Sequence, residues 1–337
     1  MKYSGIDLHS NNCFVVISDD ADRVLVSRRV KNELSQILGL LAAHQADISG
    51  VVVESTYNWY WLVDGLQDAG YTVHLANTHA IKRYDGLKHS GDEADARYLA
   101  HLLRLGLLPT GTILPRADRA LRDLARKRMQ LVRSRTQHIL ALQNISARQF
   151  GAPFASNQIK CMTSEHIEAL DLCADIRMAL NANLAIIKSL SGQITLLEAR
   201  LAEALKVEGS YARLKSIPGV GVTLATVIAL ETGPISRFAA AGHYASYARC
   251  VGTEYVSNGK KKGEGNRKNG NKYLSWAFVE AAHFALRYNE SAKRYYERKR
   301  SKTNVAVATK ALAHKLARAV FHMLKDGKDF DPQRCFA

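Results

Sequence analysis

Four carboxylic acids in the first third of the chain have the residue type and spacing needed for metal-ion chemistry. Asp7 follows a short run that ends in Ile6, and Glu54 follows the apolar run 51–53. A continuous apolar run of this kind is typical of a buried central strand. Asp92 and Asp95 are three residues apart in a helical segment, so both project from one face of that helix. A small α/β domain would bring such acids together at the edge of its sheet.

Four acids that converge repel one another unless a cation lies between them. Carboxylate oxygens are the ligands that hard divalent cations prefer, and Mg²⁺ is the ion we expect here. The surrounding protein is basic, with a formal net charge of +16. An acidic metal site inside a basic protein indicates chemistry on a phosphodiester.

The positive charge is concentrated in the later two thirds of the chain. Residues 1–105 hold 10 basic and 13 acidic side chains, whereas residues 106–337 hold 37 basic and 18 acidic ones. This asymmetry is the expected electrostatic signature of a nucleic-acid partner. Two alternatives are a protein kept soluble by its charge and one bound to an anionic membrane surface.

Membrane association and secretion are not predicted. No apolar run approaches 18 residues, and Asp7 comes too early for the apolar core of a signal peptide. The five cysteines are odd in number and form no CxxC pair, so a reducing cytoplasm is the default compartment. The twelve histidines have no metal-binding spacing, and we interpret them as ordinary surface or core residues.

The elements of the first domain follow a definite order of strand, strand, strand, helix, strand, helix, strand, helix. The pattern predicts strands and helices in chain order at 3–8, 13–18, 23–30, 33–44, 51–54, 57–69, 72–75 and 94–105. This is the order of an RNase H-like or RuvC-like fold. The four acids fall on its first strand, its fourth strand and its last helix.

Two long helices are predicted after a linker that Pro109 and Pro115 bracket. The first, 116–148, carries nine Arg or Lys residues and two acids, so it offers either a phosphate-binding face or a solvated basic face. The second, 165–207, has apolar residues at alternating spacings of three and four, which predicts a coiled-coil seam. The two helices would form an antiparallel hairpin or pair between protomers.

Residues 213–233 resemble a helix-hairpin-helix motif. The turn contains Gly219 and Gly221 within the sequence IPGVG, and such a turn exposes backbone N–H groups to phosphates. The alternative is a tight turn between packed helices.

A serine lies beside a dense basic segment further on, within 255–273. Ser257 precedes Asn258-Gly259, and the basic residues that follow are Lys260, Lys261, Lys262, Arg267, Lys268 and Lys272. We predict that this segment is an irregular loop, because a stretch so rich in Gly, Asn and Lys does not build a core, and such a loop suits contact with a nucleic-acid backbone. A serine in a turn is usually only a turn residue, but metal or basic neighbours can activate a hydroxyl for attack on phosphorus.

The chain resembles the DEDD-type insertion-sequence transposases known as bridge recombinases, whose relatives include the Piv-type DNA invertases. The matching stretches, in chain order, are GIDLHS, VVVEST, GDEADARYLA, SIPGVG, YARCVG and SNGKKKGEGNRKNGNKYL. Relatives commonly carry Lys-Thr-Asp before the acidic pair, whereas this chain has Ser90-Gly91-Asp92.

The resemblance implies both a mechanism and partners. Asp7, Glu54, Asp92 and Asp95 would bind Mg²⁺, and Ser257 would join covalently to DNA, with Ser246 as a rival. Donor and target DNA would be selected by an element-encoded guide (bridge) RNA. We expect a catalytic domain at 1–112, coiled-coil arms at 113–207, a mainly helical transposase domain at 208–337, and a dimer or tetramer.

Two other functions fit the same residues. A RuvC-like, structure-specific endonuclease would use the acids to activate water and would not need Ser257. A non-catalytic nucleic-acid-binding protein would carry the acids as ordinary surface groups.

Overall fold

The computed structural model describes residues 1–81, 91–206, 209–252, 254–264 and 269–336. These residues form two compact units, Met1–Ile113 and Leu114–Ala337. The division into three domains at 112 and 207 stays a prediction.

The first unit is built on a mixed six-stranded sheet with the order β3-β2-β1-β4-β5-β6. Its strands are β1 Lys2–Leu8, β2 Asn12–Asp19, β3 Val24–Lys31, β4 Ile48–Glu54, β5 Val73–Ala76 and β6 Thr110–Gly111. Strands β1 to β3 pair antiparallel, β1, β4 and β5 run parallel, and β6 pairs antiparallel with β5. The parallel strands β1 and β4 therefore end at the same edge of the sheet.

The central strands are apolar on both faces because helices cover both. Helices α1 Leu34–Ala42 and α2 Tyr60–Asp68 pack on one face, over a core that includes Ile6 and Val53. Helix α3 Asp92–Arg104 covers the other face, where Val52 packs against it through a second, smaller core. This arrangement explains why runs 51–53 and 15–17 are continuously apolar rather than alternating.

A glycine allows α3 to approach the sheet closely. A Cβ atom at Gly5 would lie 1.9 Å from the carbonyl oxygen of Ala96 and 2.9 Å from the amide nitrogen of Ala100. Only a residue without a side chain fits at this contact. Residues 5 and 7 of a strand share a face, so the same packing places the first turn of α3 beside Asp7.

The predicted element order of the first unit is confirmed, with boundaries that shift by at most three residues. Strand β6 was not predicted, because its two residues lie in the segment that we interpreted as a linker. A two-residue strand has no periodicity that a sequence pattern can reveal.

The second unit is mainly helical. Its helices are α4 Arg116–Phe150, α5 Ser156–Cys161, α6 Ser164–Glu168, α7 Ala174–Leu205, α8 Gly209–Leu214, α9 Val222–Thr232, α10 Ala241–Tyr247, α11 Lys272–Tyr288, α12 Glu290–Arg300, α13 Val305–Asp326 and α14 Pro332–Phe336. The strands β7 Glu254–Ser257 and β8 Lys260–Glu264 pair antiparallel between α10 and α11. Mixed α/β structure in the first unit and mainly helical structure in the second confirm the coarse fold class.

Helices α4 and α7 pack along each other in opposite directions. Arg128 near the start of α4 pairs with Glu198 near the end of α7, and His138 further along α4 contacts Asn183 near the start of α7. The antiparallel hairpin is therefore present within one chain. The second helix was predicted to start at 165, which is wrong, because α6 and a turn occupy residues 164–173. A coiled-coil geometry and pairing between protomers stay predictions.

The basic residues of α4 are not a uniform phosphate-binding face. Arg126 binds Glu231, Arg128 binds Glu198, and Arg119 is buried. Two of these guanidinium groups are paired within the second unit and the third is buried, so the hypothesis of a phosphate-binding face does not hold for them.

The IPGVG turn lies between α8 and α9. Gly219 has a φ of +89°, and a Cβ atom there would come within 2.6 Å of the Phe284 Cβ on α11. Gly219 therefore serves close packing of helices, which was the alternative interpretation of this segment. Gly221 is the N-cap of α9 and faces open space. A helix-hairpin-helix role in phosphate binding stays a prediction.

No helix among the described residues combines the length and the apolar character needed to cross a bilayer.

Candidate active site and serine hairpin

The first two predicted acids lie side by side at the sheet edge. Ile6 on β1 pairs with Val53 on β4, so the next residues, Asp7 and Glu54, are neighbours at the ends of parallel strands. Asp7 is buried and Glu54 is half-buried. Paired residues of adjacent strands point to the same face, which here is the face that α3 covers.

The other two acids lie in the first turn of α3. Acidic side chains are favourable there because the helix N-terminus carries a partial positive charge. Two contacts tie this turn to the edge strand β3, since Arg29 pairs with Asp92 and Ser27 donates a hydrogen bond to Glu93. The packing of α3 on β1 and these contacts to β3 together fix where Asp92 projects.

A histidine completes a compact group with two of the acids. The Nε2 atom of His9 lies 3.3 Å from Oδ2 of Asp7 and 3.3 Å from Oδ1 of Asp92. One ligand atom from each of the three residues lies within 4.8 Å of the others, so the group has dimensions that suit a metal ion.

The remaining two acids share a neighbouring cavity. Glu54 and Asp95 line a space of about 370 Å³, together with Thr78, Tyr98 and Leu99 among others. Among the described residues, the structure therefore shows Asp7 and Asp92 in one ligand-sized group and Glu54 and Asp95 in one cavity. Asp92 and Asp95 are one helical turn apart and connect the two. Binding of a single ion by all four acids stays a prediction.

The donor set fits a divalent cation. A buried carboxylate such as Asp7 is costly unless a positive partner compensates its charge, and carboxylate oxygens are preferred ligands of Mg²⁺ and similar ions. Asp7, Glu54, Asp92, Asp95 and His9 are the side chains that would hold it.

The Cys13 thiol reports the electrostatics near Asp7. Burial, together with the smaller effect of the negative charge of Asp7, raises the pKa of Cys13 to about 11. The thiol stays protonated at neutral pH and is no rival metal ligand, because only a thiolate binds metal well.

His9 and Arg29 were missed from the sequence. We interpreted the histidines as ordinary surface or core residues. That interpretation did not consider that Asp7 and His9, two residues apart at the end of β1, lie on the same side of the sheet. The spacing of Asp7 and His9 was the available signal. Arg29 gave none, because it approaches Asp92 only through the pairing of β3 with β2 and the packing of α3.

The serine predicted as nucleophile lies at the tip of a β-hairpin. Ser257 pairs with Lys260, and the turn between them is Asn258-Gly259, with φ values of +50° and +70°. Two residues with positive φ are typical of a type I′ hairpin turn, for which Asn-Gly is the preferred sequence. Ser257 is exposed. The basic segment was predicted as irregular, which is wrong for Lys260–Glu264, because these residues form strand β8.

The other predicted nucleic-acid contacts have mixed positions. Lys260, Lys261 and Lys262 lie on β8 and are exposed, and Lys272 is exposed at the start of α11. Arg267 and Lys268 lie outside the described residues. The rival serine, Ser246, is exposed on α10.

The residues that flank the hairpin segment in sequence are bonded to one another and to the helical core. On the far side, Asn271 caps α11 by accepting hydrogen bonds from the N–H groups of Tyr273 and Leu274, and its side-chain amide donates to the buried Glu231. On the near side, Arg249 donates from Nε to the Gly270 carbonyl oxygen at 3.0 Å. Both ends of the segment that carries Ser257 are thereby fixed to the helical core.

Two family models match this chain in separate stretches. Residues 4–147 match the IS110-type DEDD model, whose description is transposase. Residues 211–297 match the transposase IS116/IS110/IS902 family. The first match contains all four predicted acids, and the second contains Ser257. Both stretches of this chain are therefore IS110-type transposase domains.

A curated relative supports this assignment over part of its length. An insertion element IS110 uncharacterized 43.6 kDa protein from Streptomyces coelicolor is 31% identical over 136 residues, which are 40% of this chain and 34% of the relative. The match thus spans about a third of the relative. The predicted transposase family is confirmed. The guide RNA and the relation to Piv-type invertases stay predictions.

The IS110 assignment agrees with the fold and the donor set. The mixed α/β sheet is consistent with a DEDD nuclease-like domain, and such domains typically depend on a divalent metal. The group of Asp7, His9 and Asp92 is a possible position for that metal.

Proposed function

We propose that this IS110-family chain is a DNA recombinase that cuts donor and target DNA and rejoins the ends through a phosphoserine intermediate. One observation carries the proposal: Asp7 and Glu54 end neighbouring parallel strands, and the acidic first turn of α3 packs across the same face. This arrangement supports a DEDD-type site formed by Asp7, Glu54, Asp92 and Asp95.

The four acids would hold a divalent cation, for which Mg²⁺ is our proposal. When bound, such an ion supplies positive charge to the phosphate that is cut. Asp7 and Glu54 are held by the sheet, and Arg29 orients Asp92 through its second carboxylate oxygen. Rigid elements rather than loops thereby position the acidic groups, which favours catalysis by fixed charges.

Ser257 is the proposed nucleophile. Its Oγ atom forms a bond to phosphorus while the bond from phosphorus to the strand oxygen breaks, and the serine proton passes to that leaving oxygen directly or through solvent. The product is one free hydroxyl end and one serine-linked end, which conserves the bond energy for rejoining. Exposure at a hairpin tip and the lysines of β8 support this role, since an exposed hydroxyl beside positive charge can approach a phosphate.

Guide RNA and oligomer formation complete the proposal. The second unit carries most of the positive charge, which suits binding of a nucleic-acid backbone with little sequence preference. Base pairing by an element-encoded RNA would then select the donor and target sequences. The active form would be a dimer or tetramer in the cytoplasm.

A covalent-adduct assay tests the serine. The full chain, purified with its bound RNA, is incubated with labelled donor DNA and Mg²⁺, and adducts are separated under denaturing conditions. We expect Ser257→Ala to abolish the labelled protein band and Ser246→Ala to retain it. An adduct that persists in Ser257→Ala and disappears in Ser246→Ala would assign the nucleophile to the rival serine.

A water-dependent, structure-specific endonuclease is the second candidate function. The observation that favours it is that the acids and His9 all lie in the first unit, so their grouping needs no serine. This function predicts hydrolysed ends, no adduct, and cleavage that survives Ser257→Ala. Sequencing of the copurified RNA separates the functions further, since a discrete species encoded beside the gene supports guided recombination.

A further inference from the structure

We propose that His9 is a metal ligand together with Asp7 and Asp92, so that the cation site of the first unit combines nitrogen and oxygen donors. This inference rests on the proposed function in one respect, because it takes the acids at the sheet edge as a cation site. It adds a residue outside the predicted set of four acids, and with it a preference among metals.

The position of the His9 ring suits a shared ion. Its Nε2 atom is equidistant, at 3.3 Å, from one oxygen of Asp7 and one of Asp92. When two ligand atoms are each about 2.1 Å from a metal ion and subtend a right angle at it, they lie roughly 3 Å apart. The side chain of His9 is 42% exposed, so an ion can reach the group from solvent.

The backbone of His9 is fixed from three directions. Asn32 and Asn58 each donate a side-chain N–H to the His9 carbonyl oxygen at 3.0 Å, and the His9 N–H donates to the Asn12 carbonyl oxygen at 2.9 Å. Asn58 is itself oriented, because its side-chain oxygen accepts a hydrogen bond from Thr56. A residue held in this way after the end of β1 presents its ring at a defined place.

The carboxylate of Asp92 has a separate partner for each oxygen. Arg29 binds Oδ2, and His9 faces Oδ1. Arg29 therefore acts as a positioning residue that leaves Oδ1 directed to the shared space. A ligand carboxylate that a neighbour orients in this way is typical of metal sites.

A nitrogen donor changes which metal is favoured. Mg²⁺ binds oxygen ligands almost exclusively, whereas Mn²⁺ accepts imidazole readily. We therefore expect Mn²⁺ to bind more tightly than Mg²⁺, and we expect the loss of the ring to weaken Mn²⁺ binding more than Mg²⁺ binding.

Mn²⁺ binding to the full chain without DNA tests the inference. Titration calorimetry on His9→Ala should show a Kd for Mn²⁺ raised about tenfold or more, with a change for Mg²⁺ of less than about threefold. Pulsed electron paramagnetic resonance of bound Mn²⁺ should show a nitrogen coupling in the unmodified protein that is absent in His9→Ala. His101→Ala is the matched control, because His101 pairs with Asp22 at 3.0 Å in the same unit, outside the group.

Two outcomes would overturn the inference. If His9 only neutralised the two carboxylates as a cation, its removal would leave Mn²⁺ binding unchanged or tighter, with no nitrogen coupling in the unmodified protein. Asp7→Asn separates the proposal of a cation site from the proposal that His9 is one of its ligands. If Asp7→Asn loses Mn²⁺ binding and His9→Ala does not, only the role of His9 is refuted. Full metal binding in Asp7→Asn removes the proposed cation site itself. Thermal unfolding of each variant confirms that it is folded.

Discussion

At the scale of single residues, Glu231 shows how this chain uses a buried charge outside the candidate active site. Its side chain is 3% exposed, and it accepts two hydrogen bonds from Arg126 at 2.6 and 2.8 Å and one from Asn271 at 2.7 Å. Burial alone would lower the pKa of Arg126, but the hydrogen bonds and charge of Glu231 raise it above its ordinary value. The group therefore links α4, α9 and the cap of α11.

We expect Glu231→Gln to lower the free energy of unfolding by about 2–4 kcal/mol, because one partner of a buried ion pair is left without compensation. Glu198→Gln is the matched control. Glu198 pairs with Arg128, which lies on α4 as Arg126 does, but the Glu198 side chain is 43% exposed. We expect this variant to lower the free energy of unfolding by less than about 1 kcal/mol. Denaturant unfolding measures both variants, and equal losses would contradict the importance that we assign to burial.

The residues of the first unit show what sequence reasoning can and cannot find. Asp7 and Glu54 were predicted because each ends an apolar run, which is a local signal. His9 was missed although its spacing from Asp7 is a local signal, whereas Arg29 was missed because its role depends on a contact between segments far apart in sequence. In particular, Arg29 meets Asp92 across 63 residues. The four acids follow from local pattern, whereas the residues that orient them follow from the tertiary fold.

At the scale of elements, the position of α3 on β1 decides whether the acids meet. The contact is close because Gly5 has no side chain and faces the backbone of Ala96. Since α3 carries Asp92 and Asp95, any displacement of this helix also displaces half of the acidic residues.

We expect Gly5→Ala to destabilise the protein by about 2–3 kcal/mol, because the new methyl group overlaps helix backbone that has no rotamer to change. The same variant should weaken Mn²⁺ binding. Gly39→Ala is the control: Gly39 lies within α1 and a Cβ atom there meets open space, so its replacement should stabilise the protein by about 0.5–1 kcal/mol. Thermal unfolding and metal titration check both, and a neutral Gly5→Ala would refute the close packing.

The elements also show where periodicity stops being informative. The three opening strands, α1 and α3 were predicted because each spans enough residues to show its period. Strand β8 was missed because a run of three lysines and a glycine carries no apolar alternation, and β7 supplies its pairing through the Asn258-Gly259 turn. The start of α7 was misplaced because the short helix α6 has the same helical pattern as its longer neighbour.

At the scale of the whole molecule, the candidate metal site and most of the positive charge lie in different units. The acidic group lies in the first unit, and the lysines beside Ser257 lie in the second. Unequal charge between the ends of the chain was visible in composition alone. Composition could not reveal that several arginines of α4 are engaged within the fold, since that depends on the acids of α7 and α9 that they meet.

The central claim is that the acids at the sheet edge bind a cation that DNA cleavage requires. The most direct test compares metal-dependent strand cleavage by Asp7→Asn with cleavage by the unmodified chain. The DNA is the element's own flanking sequence, the protein carries its copurified RNA, and Asp47→Asn is the control because Asp47 lies exposed at the opposite end of β4. We predict that Asp7→Asn lowers the cleavage rate about 100-fold or more, since a metal ligand supplies several kcal/mol, and that Asp47→Asn retains it. Cleavage by Asp7→Asn at the unmodified rate, with the same metal dependence, would contradict the account.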